Sequence, residues 1–307
     1  MGAVRTTQRL LIDRVLSNLT LQQRRILKLQ EQLSTGQVVN RPSDDTLAAR
    51  RAIDARSEIA KNEQYITNVS SLGPGLLTTE TSMATVVDVI QRTRELTLQG
   101  ASGTNAQLQR DQIAIEVNQL LESLLVESNN QTGGRFVFGG TVTQTEPFVE
   151  ARDAGGEIVS VNYIGNDQVF NYEVQQGILV AGNEPGSRVF TAAGAGNVDI
   201  FQTLIDIRDN LRAGDAGALE TRLRELSSAQ EQVSISTARV GATQNRVERV
   251  GINLEDVNQQ LLSVVSDNID ADFAETIVEL NAQTNALQAS LDASARVIQP
   301  SLLNFLS

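Results

Sequence analysis

The chain has 307 residues with 25 Lys and Arg against 37 Asp and Glu, a net charge of −12. That balance argues against nucleic acid as the main partner, because phosphate binding needs a surplus of cations. The absence of Cys, His and Trp removes thiolate and imidazole catalysis, metal sites built on those ligands, and disulfides.

No run of 18 apolar residues predicts a membrane span. The charged start MGAVRTTQRLLIDRVL lacks the apolar region and cleavage site of a secretory signal peptide, so any export is expected to use another route.

In chain order, residues 4–33 carry the stripe Leu11, Val15, Leu19, Ile26, Leu29 and Leu33, which predicts an amphipathic helix with Arg and Gln over its other faces. Up to residue 40, six cations (Arg5, Arg9, Arg14, Arg24, Arg25, Lys28) stand against Asp13 and Glu31, a net of +4 in an acidic protein. Gly36 follows as a C-cap candidate. Pro42, Ser43, Asp44 and Asp45 form a helix start, with the acids facing the positive end of the helix dipole. The next helix, with Ala52, Ala55, Ile59, Ile66 and Val69 on its seam, is expected to stop at Gly73-Pro74-Gly75. A third helix follows with Leu76, Met83, Val86, Ile90 and Leu98, and Gly100 to Gly103 ends it. Thr104 or Asn105 is expected to cap a fourth helix carrying Ile113, Val117, Leu120 and Leu124.

At Gly133 the composition changes. Between residues 133 and 196 lie seven of the 11 aromatic residues and 12 of the 22 glycines. Alternation over Glu157–Tyr163 and Val169–Val174 predicts strands, and Gly155-Gly156 and Gly165-Asn166-Asp167 predict turns. Phe136, Phe138 and Phe148 are expected to pack beneath this β unit.

Helix resumes near Val198, pauses at Gly214 to Gly217, and enters the longest periodic stretch of the chain. Leu219, Leu226, Val233, Val240, Val247, Leu254 and Leu261 recur every seventh residue. Leu223, Thr237, Val250, Val257 and Val264 fill the intermediate position. This heptad seam predicts a helix about 69 Å long at 1.5 Å per residue. The register slips over Ser266–Asp272, a predicted joint. Beyond it, Phe273, Ile277, Leu280, Thr284, Leu287, Leu291, Ser294 and Ile298 keep the 3-4 spacing. From 267 onward, six acids (Asp267, Asp270, Asp272, Glu275, Glu279, Asp292) face Arg296 alone, a net of −5.

The expected fold is mainly α: an elongated antiparallel helical bundle or coiled-coil rod formed by the N- and C-terminal segments, with one small inserted β domain. Residues 1–42 with 267–307 form terminal coiled-coil arms, 43–135 with 197–266 a helical rod domain, and 136–196 the β domain. Pairing the arms would bury both seams and bring unlike charges together. Two helices cannot cover all of each other's apolar surface, so further subunits are expected around them.

Carboxylates are the only plausible catalytic groups. Asp44 with Asp45, and Asp267, Asp270, Asp272 and Glu275, could serve glycoside hydrolysis as pairs. Adjacent acids at a helix start are more simply dipole partners, and acids along an arm a solvated face. Gly194-Ala195-Gly196 ends in Asp199 where a dinucleotide fingerprint needs Gly. No catalytic, cofactor or metal residue is assigned.

With these elements in place, several motifs become recognisable. LSTGQVVNRPSDD (Leu33–Asp45) resembles the N-terminal signature of the bacterial flagellin family, carried here by Asn40, Arg41, Pro42, Ser43, Asp44 and Asp45. QRTRELTLQG (Gln91–Gly100), with Arg94, Glu95 and Leu96, is similar to that family's core motif. SDNIDADFAETIVELNAQTNALQASL (Ser266–Leu291) resembles the family's C-terminal arm, and GGRFVFGGTVTQTEPF (Gly133–Phe148) and the ending SLLNFLS resemble the members that sit between hook and filament.

The resemblance implies a non-enzymatic subunit without cofactors, exported through the flagellar type III channel to the outside of the cell. It would join the hook, through the first hook-associated protein, to flagellin, in a ring of copies of itself. Its arms would pair through Leu11, Val15, Leu19, Ile26, Leu29, Leu33, Phe273, Ile277, Leu280, Leu287, Leu291 and Ile298. An export chaperone would bind the arm from Phe273 to Ile298. Neither nucleic acid nor membrane insertion is expected. The alternatives are a flagellin filament subunit and, more distantly, a carbohydrate-binding or carbohydrate-active protein using the β domain.

Overall fold

The computed structural model describes the backbone of residues 2–102, 106–194 and 196–306, and the side chains of residues 10, 12–102, 106–194 and 196–295. Seven helices lie among the described residues: α1 (Gly2–Thr35), α2 (Thr46–Ala101), α3 (Gln107–Ser128), α4 (Gly186–Phe190), α5 (Ile200–Ala213), α6 (Ala216–Ile269) and α7 (Phe273–Leu306). Six short strands accompany them: β1 (Gln131–Thr132), β2 (Arg135–Phe136), β3 (Phe148–Arg152), β4 (Ile158–Tyr163), β5 (Asn171–Gln175) and β6 (Ile178–Ala181). The protein is mainly α with a small β insertion. It divides into two compact units, residues 1–61 with 257–307 and residues 62–256.

The second unit holds the main core. Met83, Val86 and Ile90 of α2, Val117, Leu121 and Leu124 of α3, and Leu219, Leu226 and Val233 of α6 are all at 0% exposure. Burying each such side chain is worth about 1.5–3 kcal/mol. The first line of the α6 seam is buried from Leu219 to Leu254, whereas at its far end Leu261 is half-buried and Val264 is 41% exposed.

In place of a single sheet, residues 131–181 fold as three antiparallel hairpins, β1–β2, β3–β4 and β5–β6. Phe138 and Phe148 lie beneath them against Phe190 and Phe201. Ring centroids in this cluster are 5.0 to 5.9 Å apart, with the Phe138–Phe190 pair edge-on. Buried Arg208 of α5 ties the insertion down by donating to the Ile158 carbonyl (2.8 Å) and to Asn118 (3.0 Å). Two ion pairs reinforce it: Arg152 with Glu122 of α3, and Arg212 of α5 with Glu157, each at 2.6 Å.

The structure corrects the expected break at Gly73-Pro74-Gly75, because α2 runs through it from Thr46 to Ala101. An interior proline costs a helix about 3 kcal/mol. Leu72 and Leu76 flank it at 2% exposure, and their burial offsets that cost. The expected caps Thr104 and Asn105 lie outside the described residues. The observed N-cap of α3 is Ala106, which makes no side-chain capping bond. Gly100 is the close approach of α2 to α5: a Cβ there would stand 2.1 Å from Leu211 Cδ2.

Candidate subunit interface

The first unit is built from the two ends of the chain. α1 ends where expected, at Gly36, which adopts φ +72° and donates its N–H to the Gln32 carbonyl at 2.8 Å. Residues 36–38 then meet 269–271 as an antiparallel bridge. Val38 donates to the Ile269 carbonyl (2.6 Å), Ala271 to that of Gly36 (2.9 Å), and Gln37 pairs with Asp270. The Phe273 ring lies over Gly36.

The acids singled out in the sequence act as local caps in this joint. Asp45 accepts from the N–H groups of Leu47 and Ala48 (2.9 and 3.0 Å) and starts α2. Asp272 does the same for Ala274 and Glu275 (2.8 and 3.2 Å) and starts α7. Asp44 accepts from the Arg41 N–H at 2.9 Å and pairs with Lys28 at 3.5 Å. The Arg41 hydrogen bond, assisted by Lys28, holds its carboxyl below the ordinary aspartate range. Asn40 donates to the Gln37 carbonyl (3.2 Å) and Arg41 pairs with Glu31 (3.6 Å). The NRPSDD signature is thus a turn that joins α1 to α2 and holds itself together. Of the second signature, Leu96 is buried in the core of the other unit, while Arg94 and Glu95 are exposed there.

From the joint, α1 and α7 run antiparallel, a direction fixed by the Gln37–Asp270 bridge and by a hydrogen bond from Gln22 to Ser290 (3.3 Å). On α1 the expected stripe faces inward: Leu29 is buried, and Val15, Leu19, Ile26 and Leu33 are half-buried. The side chains of Leu11 and Ile298 lie outside the described residues.

On α7 Leu280, Leu287 and Ser294 of the expected stripe face inward. Phe273, Ile277 and Leu291 are 53%, 47% and 48% exposed. The contact line of α7 is Thr276, Leu280, Gln283, Leu287, Ser290 and Ser294, a regular 4-3-4-3-4 spacing in which four of six residues are polar. Apolarity alone could not find it; the heptad spacing of Leu280 and Leu287 could. The small Ser290 and Ser294 leave an open groove against Val15, Leu19 and Gln22, with Leu21 and Arg25 at its edge. Gln22 Oε1 is buried there without a protein partner.

Among the described residues no ion pair joins α1 to α7. Beside the exposed apolar residues of α7, α1 exposes Leu10, Ile12, Leu16, Leu21 and Leu27. Both helices of the pair therefore leave apolar side chains in water.

The fold and this surface define a class: a helical protein whose paired terminal helices leave apolar sides open. A model of the bacterial flagellin N-terminal helical region matches residues 11–143. Flagellar hook-associated protein 3 of Escherichia coli K12 is 25% identical over 311 residues, covering 94% of this chain and 96% of that protein. Flagellin FlaB1 of Treponema pallidum is 26% identical over 279 residues, covering 87% of this chain and 89% of that protein. A flagellar hook-associated protein of Vibrio parahaemolyticus shares the fold, with a TM-score of 0.64 and 20% identity over 74% of this chain and all of that one. The chain is thus similar to the bacterial flagellin family over its N-terminal helical region, and to hook-associated relatives over most of its length.

Proposed function

We propose that this chain is a structural, non-enzymatic subunit of the bacterial flagellum that joins the hook, through the first hook-associated protein, to the flagellin filament. Copies of it form a ring outside the cell, held by the terminal helices, after export through the flagellar type III channel with a chaperone on the C-terminal arm. Support comes from the end-to-end similarity to hook-associated protein 3 of Escherichia coli. The observation that carries the mechanism is the open apolar side of α7 at Phe273, Ile277 and Leu291. Helices with such sides gain stability only when other subunits cover them. We assign the arms to residues 1–42 with 267–307, the rod to 43–135 with 197–266, and the β domain to 136–196.

The test is complementation of a strain lacking the junction subunit. The full chain is expected to restore filament attachment, and a chain without residues 1–40 and 267–307 to restore none. Filament attachment by the truncated chain overturns the mechanism. A second reading, a filament subunit, is favoured by the comparable identity to FlaB1. Copy number separates the two: a junction ring holds few copies, whereas a filament subunit is the bulk surface protein.

A further inference from the structure

The β insertion and α2 enclose an open recess that lies wholly within residues 62–256. Pro74 and Gly75 of α2 line one side of it, the β1–β2 hairpin a second, and residues at the start of β5 and after β6 a third. Its aromatic residues stand apart from the packed rings. Phe136 and Phe170 are half-buried and take no part in the cluster of Phe138, Phe148, Phe190 and Phe201. Phe136 thus departs from the expected packing beneath the β unit. Half-buried Tyr172 lines the same recess.

The helical side of the recess is bare without a packing reason. A glycine inside a helix costs backbone entropy. At Gly100 the missing side chain admits Leu211, whereas at half-buried Gly75 an added Cβ would meet no atom within 4 Å. What Gly75 leaves is space in the recess. The other sides are held by their own hydrogen bonds. Phe136 donates its N–H to the Thr143 carbonyl (3.0 Å), and Asn183 accepts from the Phe170 N–H (2.8 Å) while donating to the Gly140 carbonyl (3.0 Å). A site fixed in this way is formed before a ligand arrives.

The polar groups narrow the class of ligand. Arg135 is exposed and makes no ion pair among the described residues, and no carboxylate lines the recess. Ser71 and Thr132 donate their hydroxyls to the Thr67 carbonyl (2.8 Å) and to Thr78 (2.6 Å), which leaves their oxygens as acceptors. Thr143 adds a third hydroxyl. Aromatic rings suit an apolar ring face, several hydroxyls suit a ligand that donates several hydrogen bonds, and one guanidinium suits one carboxylate.

We propose that this recess binds the six-membered ring of a sugar acid, a hexuronic acid. Its carboxylate pairs with Arg135, its hydroxyls with Ser71, Thr132 and Thr143, and its C–H face packs on Phe136, Phe170 and Tyr172. This is a binding function of the insertion and does not depend on how the terminal helices assemble.

Saturation-transfer NMR on the full chain tests it with glucuronate and galacturonate. Glucose, which lacks the carboxylate, and cyclohexanecarboxylate, which lacks the hydroxyls, serve as controls. The expected result is that a hexuronate binds and both controls bind at least about tenfold more weakly. Gly75→Leu, whose Cβ meets no neighbour, fills the recess and abolishes binding. Arg135→Gln alters an exposed side chain, leaves the fold intact by circular dichroism, and weakens binding by about tenfold. If Gly75→Leu does not fold, Arg135→Gln decides alone. Tighter binding of the galacturonate trimer than of the monomer identifies a polysaccharide as the source, and equal binding the free acid. No binding of either hexuronate at millimolar concentration, a control that binds equally well, or binding unchanged in either folded variant overturns the proposal.

Discussion

The α6 seam within residues 62–256 and the arms of the first unit are written with the same spacing and end up in different environments. Leu219, Leu226 and Val233 are at 0% exposure, whereas Leu280 and Leu287 of α7 are half-buried and Ile277 is 47% exposed. The seam of α6 has α2, α5 and the segment 184–198 around it; α7 has α1. Spacing chooses which side of a helix is apolar, and the number of neighbours decides how much of that side leaves water. One region has its apolar side covered, and the other leaves much of it in water.

The largest effect expected from this difference is on single truncations. Leu226→Ala removes a fully buried side chain and is expected to lower unfolding free energy by about 2–5 kcal/mol. Leu287→Ala, on a helix with one neighbour, should cost under about 1 kcal/mol. Denaturant unfolding of both variants checks the pair, and equal losses would erase the distinction between the regions. Hydrogen exchange sharpens it. Amides in residues 273–290 of the monomer should exchange at least tenfold faster than those in 219–240, because local opening there exposes little further apolar surface.

Much of this architecture is legible in the amino-acid order. The α6 seam, the cap at Gly36 and the joint at Ser266–Asp272 are local in origin, set by spacing, a positive φ and a slip in register. What is not legible depends on partners distant in sequence. Gly73-Pro74-Gly75 carries the strongest local stop signal in the chain, yet the burial of Leu72 and Leu76 keeps α2 continuous. The contact line of α7 is partly hidden because Thr276, Gln283 and Ser290 are polar. The cross-arm attraction expected from net charge makes no ion pair between α1 and α7 among the described residues. The ties of the β insertion to α3 and α5 through Arg152 and Arg208 join residues 30 and 50 positions apart.

Acid should act on the two units differently. Arg212 holds the Glu157 carboxyl, and Arg152 that of Glu122, below the ordinary glutamate range. A carboxylate whose folded-state pKa is lowered contributes stability that is present above its unfolded value and disappears as pH falls through the folded one. Both pairs are partly exposed, so each is worth about 1 kcal/mol or less. Glu157→Gln with Glu122→Gln should therefore lower the stability of residues 62–256 at neutral pH by about 1–2 kcal/mol and flatten its decline below the ordinary glutamate range. An unchanged acid limb in pH-dependent unfolding would remove these pairs from the account.

The smallest expected change tests whether α2 is held by its surroundings at its weakest point. Gly73 has negative φ and no atom within 4 Å of where a Cβ would sit, so a methyl group there clashes with nothing. Glycine in a helix interior loses more backbone entropy than alanine, and Gly73→Ala should raise stability by about 0.5–1 kcal/mol. A gain of that size means the segment is helical in the native state and glycine serves no packing purpose there. A loss means that residues 73–75 need the freedom of glycine, and that the continuity of α2 is worth less than the burial of Leu72 and Leu76 implies.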